Sequence, residues 1–165
     1  MKQLRIATVI GLLALALPAL AQKPTITLVP LIPFTITGGP ANGACTFDIS
    51  VVPQANRPNG EREILFANSE IIAGPLFLTF TNVSDPTKTL SLNVSGPGKI
   101  DFSASEETLF GPALISNFPP DVTAAAGLPS VAVLSGRTVI TFNSVAITSV
   151  THVGAPAQDL CAALQ

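Results

Sequence analysis

Apolar and polar residues alternate along this chain far more often than they recur at helical spacing, and that period of two limits the folds open to it. The stretch "CTFDISVV" sets Cys45, Phe47, Ile49 and Val51 on one face and Thr46, Asp48 and Ser50 on the other. "KIDFS" does the same with Ile100 and Phe102 against Lys99, Asp101 and Ser103. Thr, Val, Ile and Phe fill these runs and suit a pleated, half-buried surface. Fifteen prolines and twelve glycines punctuate them, with Gly-Pro at 39–40, 74–75, 96–97 and 111–112. Short alternating runs between such breaks read as an all-β antiparallel meander.

The runs place strands over 45–52, 62–67, 70–81, 89–95, 99–103, 108–115, 131–142 and 145–152, with a tight turn at Asn68-Ser69. Two of them are long and carry a mid-strand glycine, Gly74 and Gly136, where a sheet can bend. About eight strands with bent long members predict a small closed barrel, the alternative being a two-sheet sandwich. "AQDLCAAL" near the end predicts a short helix. Residues 116–130 hold three prolines and little periodicity, and read as a mobile or binding loop.

The N-terminus sets the compartment. Lys2 and Arg5 precede the apolar run Ile6–Leu17, Pro18 breaks it, and Ala19-Leu20-Ala21 offers small residues for cleavage. Residues 1–21 therefore read as a secretory signal peptide, too short to span a membrane. Residues 22–44 read as an extended N-terminal segment, and 45–165 as one all-β domain. Cleavage would remove Lys2 and Arg5 and make the net charge of −2 more negative. With no basic cluster, nucleic acid is a poor partner, and no later run is long enough for a membrane span. The chain is expected outside the cell, where Cys45 and Cys161 should form a disulfide.

Motifs for catalysis are sparse. The single histidine, His152, has no G-x-S-x-G serine to serve and reads as a strand-edge residue. With both cysteines bridged, too few ligands remain for zinc, and neither a phosphate loop nor G-x-G-x-x-G occurs; no cofactor is implied. Glu106 and Glu107 are adjacent, so on a strand they point to opposite faces; pairing of either with Asp101 is the remaining arrangement for two-carboxylate chemistry. Nine Phe without Trp or Tyr suit a core better than a sugar-stacking platform. Two Asn-Val-Ser triplets, at Asn82 and Asn93, satisfy the N-glycosylation rule. Both read as exposed: Asn93 because Leu90, Leu92 and Val94 face inward, Asn82 because it ends its strand beside the Asp85-Pro86 turn.

Segments 59–98, 135–142 and 158–164 resemble a group of small secreted proteins of filamentous fungi and actinobacteria. The shared pieces are Asn59-Gly60-Glu61, Gly74-Pro75-Leu76-Phe77, Ser95-Gly96-Pro97-Gly98, Gly136-Arg137 and Asp159-Leu160-Cys161. This sequence departs from the group at "LFGPAL" (109–114), where a Gly-Arg-Trp-like strand is common. The group has no assigned activity, so the resemblance implies secretion and a shared fold and transfers no catalytic residue. The expected function is a non-catalytic structural or interaction protein at the cell surface or in the medium. The alternative is a carrier with a small apolar ligand inside a barrel lined by Phe47, Ile49, Leu78, Phe80, Leu92, Ile100 and Phe102. An enzyme of unfamiliar type ranks third.

Overall fold

The computed structural model describes residues 23–39 and 45–165. The signal peptide read over 1–21 lies outside them, as do Gln22 and residues 40–44 of the N-terminal segment. Eleven strands form among the described residues: β1 (Thr25–Leu28), β2 (Phe34–Ile36), β3 (Ile49–Pro53), β4 (Arg62–Leu65), β5 (Ser69–Ala73), β6 (Phe77–Asn82), β7 (Thr89–Asn93), β8 (Gly98–Asp101), β9 (Glu106–Ile115), β10 (Ala132–Phe142) and β11 (Ile147–Asp159). They are joined by two short helices, α1 (Pro120–Ala125) and α2 (Leu160–Ala163).

All pairings are antiparallel and fall into two sheets. The larger runs β1-β4-β5-β8-β9-β10-β11 and the smaller β2-β3-β6-β7. A closed barrel would pair its first strand with its last and leave no edge. Here β1 and β11 lie at opposite ends of the large sheet, so the expected barrel does not form and the two-sheet arrangement takes its place.

The physical reason is at Gly74-Pro75. The single bent strand expected over 70–81 is two strands, β5 and β6, in different sheets. Gly74 has φ +150° and a Cβ there would run into the Gly60 carbonyl, so the chain turns sharply on the one residue type that can do so. Pro75 has no N–H with which to continue the ladder. Gly136, in contrast, bends β10 without breaking it. It pairs with Gly111 on β9 and Gly154 on β11, next to a register shift between Val133 and Ser135. β11 runs seven residues past its expected end because Pro156 lies on the sheet edge, within that shift, where a missing N–H disrupts no ladder.

The sheets meet over one core. Ile36, Ile49, Val51, Leu78 and Phe80 of the small sheet pack with Val131 and Val133 and with Leu160 and Leu164 of the C-terminal helix. The Cys45–Cys161 disulfide forms as expected and clips that helix to the small-sheet side. Asp159 caps α2 by accepting a hydrogen bond from the Ala162 N–H. A second cluster of Ile115, Ala132 and Leu134 lies under Phe118 and Leu128. These two come from the 116–130 segment, which is therefore a packed cover carrying α1 rather than an irregular loop. Its Thr123 is 1% exposed.

Candidate functional site

Ile72 on β5 opposes Gly98 on β8, and Gly98 opposes Leu109 on β9. Directly opposed residues of antiparallel strands share a face, so these three form one row across the large sheet. The middle member has no side chain, and the Leu109 side chain lies close over it. A Cβ on Gly98 would come within 3.1 Å of Leu109 Cδ2. Across from this row, Leu76, Leu78 and Val94 of the small-sheet side complete a cavity of about 250 Å³ that also touches Phe34 and Ala113.

Two carboxylates interrupt this apolar lining, Glu61 and Glu107. Glu107 stands one row along from Leu109, on the row Glu70–Ile100–Glu107. Its carboxyl lies above the ordinary glutamate range, first because burial strips its water and then because Glu70 adds like charge. Glu61 is raised by burial alone. Glu70 is raised by burial and then by Glu63. Among the described residues, no cation and no hydrogen bond counteracts these shifts. The nearest cations in sequence, Arg62 and Lys99, belong to the opposite face by the period of two, and both are exposed. The cavity is thus apolar in area and acidic in charge.

The structure redistributes the seven residues expected to line a ligand site. Leu78 lines the cavity. Ile49 and Phe80, each 0% exposed, sit in the filled core, with Phe47 and Leu92 packed against it. Ile100 lies between Glu70 and Glu107 in register, and Phe102 is 46% exposed beyond the end of β8. Alternating parity identified inward positions correctly on the small sheet, but inward there means solid packing. The real lining residues Ile72, Gly98, Leu109, Glu61 and Glu107 were missed. The available signal was a glycine opposite two large apolar residues, which needs the register to be read.

Of Glu106 and Glu107, the register sets Glu106 opposite Asp101 at the strand end. The Asp101 Oδ1 accepts from the Ser103 N–H, the Ser103 hydroxyl and the Ala104 N–H. These bonds close a turn and hold its carboxyl below the usual range, the Ser103 hydroxyl first. His152 is half-buried on β11, with Nδ1 2.9 Å from Thr138 Oγ1 and Nε2 3.3 Å from the Ala155 carbonyl. Both ring nitrogens are engaged by neutral partners, the pattern of a satisfied strand histidine. Among the described residues, no three His, Cys, Asp or Glu side chains come together as a metal set, and no helix is long and apolar enough to cross a membrane.

The two sequons have unlike surroundings. Asn93 is exposed at the end of β7, as expected. Asn82 is 6% exposed, contrary to expectation, because it continues the inward parity of Leu78 and Phe80 and opposes Ile49.

Comparison with protein-family models, curated proteins and solved structures finds no match for this chain.

Proposed function

We propose that this is a secreted, non-catalytic binding protein that holds a small apolar molecule in the cavity between its sheets. The observation that carries the reading is the cavity lined by Ile72, Gly98 and Leu109 of the large sheet and faced by Leu76, Leu78 and Val94. A cavity of about 150 Å³ already takes benzene, and drug-sized sites begin near 300 Å³. About 250 Å³ therefore suits a ligand of one or two rings. Glu61 and Glu107 favour a head group that donates hydrogen bonds or carries positive charge, and disfavour a fatty acid.

The test uses three probes of similar size: an aromatic amine, a neutral terpenoid alcohol and a medium-chain carboxylate. Calorimetric titration should show saturable 1:1 binding, tightest for the amine. Gly98→Val adds atoms at the cavity wall against the Leu109 side chain, at a position whose φ a side chain tolerates, and should weaken binding at least tenfold while the fold melts cooperatively. No saturable binding by any of the three refutes the reading.

A second reading, an interaction protein, draws support from β1. This edge strand is exposed along its whole length, with Ile26 at 61% and Leu28 at 68%. Ile26, Ile64 and Ile71 form a row on the face turned away from the cavity. An unpaired apolar edge invites another strand, here from a second copy of the chain. Concentration-dependent association abolished by Leu28→Pro, at a residue whose N–H faces the free edge, supports it; a monomer at every concentration refutes it.

A further inference from the structure

Asn82 is the last residue of β6, and its side chain enters the core beneath the C-terminus. Nδ2 donates to the Leu164 carbonyl at 3.0 Å in a buried bond spanning 82 residues of sequence. Oδ1 accepts from the N–H groups of Ser84 at 2.8 Å and Asp85 at 3.2 Å. Leu164, on the far side of that bond, is 0% exposed, as are Leu160 one helical turn before it and Ile49 opposite Asn82. Between the two leucines lies Cys161, held to Cys45. The C-terminal helix is therefore a plug with three attachments: two buried leucines, a disulfide and the Asn82 amide.

Asn93 has the opposite setting. It is exposed on the edge strand β7. Its Oδ1 accepts from the Ser95 N–H at 2.9 Å and from the Ser95 hydroxyl, while no hydrogen bond among the described residues uses its Nδ2. The side-chain nitrogen, the atom that an N-glycan would occupy, thus belongs to an exposed residue and is not engaged.

We infer that the protein is a one-sugar protein: Asn93 is its glycan acceptor, and glycosylation of Asn82 and closure of the C-terminal plug exclude one another. A sugar on Asn82 Nδ2 replaces one of its two N–H bonds and brings a ring the size of a side chain into a site with no room for it. The ring fits only if Leu164 leaves. With Leu164 leave Leu160 and, through the same short helix, Cys161. An Asn82-glycosylated chain thus exposes its core and presents two free thiols. Secretory context and the triplet alone make both asparagines acceptors; burial separates them.

The experiment is secretion of the full chain from a eukaryotic host that N-glycosylates a co-expressed control protein. The secreted protein is separated into disulfide-closed and thiol-bearing fractions, and glycopeptides of each are mapped. The closed fraction should carry sugar on Asn93 and none on Asn82, and Asn93→Gln should remove its entire amidase-sensitive mass. Ser84→Ala destroys the Asn82 sequon but keeps every hydrogen bond of Asn82, since Ser84 contributes only its backbone N–H there. It should leave the amidase-sensitive mass of the closed fraction unchanged and increase its share of secreted protein. Any Asn82 glycan should be confined to the thiol-bearing fraction. A glycan on Asn82 in disulfide-closed protein with a wild-type melt overturns the inference. So does an unmodified Asn93 in a preparation whose control protein is glycosylated.

Discussion

Replacing both bridged cysteines, Cys45→Ala with Cys161→Ala, should lower stability by most of what a long covalent loop confers. The double variant is chosen because Cys45 is 4% exposed, so serine would bury an unpaired hydroxyl and a single change would leave a reactive thiol. The bridged residues are 116 apart in sequence. In the chain-entropy model a loop of that length restricts the unfolded chain by about 5 kcal/mol at 25 °C. That is a large part of the roughly 5–15 kcal/mol of a typical domain. At roughly 3 °C per kcal/mol for a domain of this size, the melting temperature should fall by about 15 °C. The assay is thermal unfolding by circular dichroism and calorimetry, wild type against double variant. Reduced wild type serves as the second reference. A variant melting within about 2 °C of wild type would refute the reasoning, because it would mean that the unfolded chain gains no freedom when the bridge is absent.

Three further outcomes follow from the same structure. Asn82→Ala removes the amide that satisfies the buried Leu164 carbonyl and should cost roughly 1–3 kcal/mol, read as a lower denaturant midpoint; an unchanged midpoint would show that this bond does not hold the plug. Glu61, Glu70 and Glu107 hold their protons more tightly in the fold than the ordinary glutamate value of 4.5, so the native state keeps protons that the unfolded chain releases, and stability should fall as pH rises from that value through the raised ones. Asp85 and Asp101 are shifted down and act oppositely, losing their contribution as pH falls through their lowered values, so melting temperature should peak in mild acid; Glu61→Gln with Glu107→Gln should flatten the decline toward neutral pH, and an unaltered slope would refute the assignment. N-terminal sequencing of secreted protein should begin at Gln22, and an intact Met1 on secreted material would count against the signal peptide.

What the sequence made legible is what depends on one strand at a time. The period of two covered every strand after residue 44, though it joined β5 and β6 into one, and it gave the exposure of Asn93, because alternation encodes face and face encodes burial. It also contained the burial of Asn82. Leu78, Phe80 and Asn82 share one parity, and the pattern along β6 alternates half-buried and buried to its last residue. The expectation of exposure came from weighting the nearby Asp85-Pro86 turn above that parity. The turn does form, since Lys88 N–H bonds the Asp85 carbonyl, but it begins only after the inward-facing amide has been placed.

What was not legible depends on which strands become neighbours. Gly74 and Gly136 look alike in sequence, each a glycine within a long apolar run, yet one moves the chain to another sheet and the other bends a continuous strand. The residue that follows decides: Pro75 ends the ladder, whereas Arg137 continues it opposite Phe110 and Val153. The cavity is a further step removed. Gly98 is an ordinary turn-side glycine until β5, β8 and β9 align, and only then does its missing side chain fall between Ile72 and Leu109. The same alignment sets Glu70 and Glu107 on either side of Ile100 and gives the opening its charge. The proposed binding capacity therefore rests on register, which sets Gly98 between Ile72 and Leu109 and brings Glu107 to the same cavity.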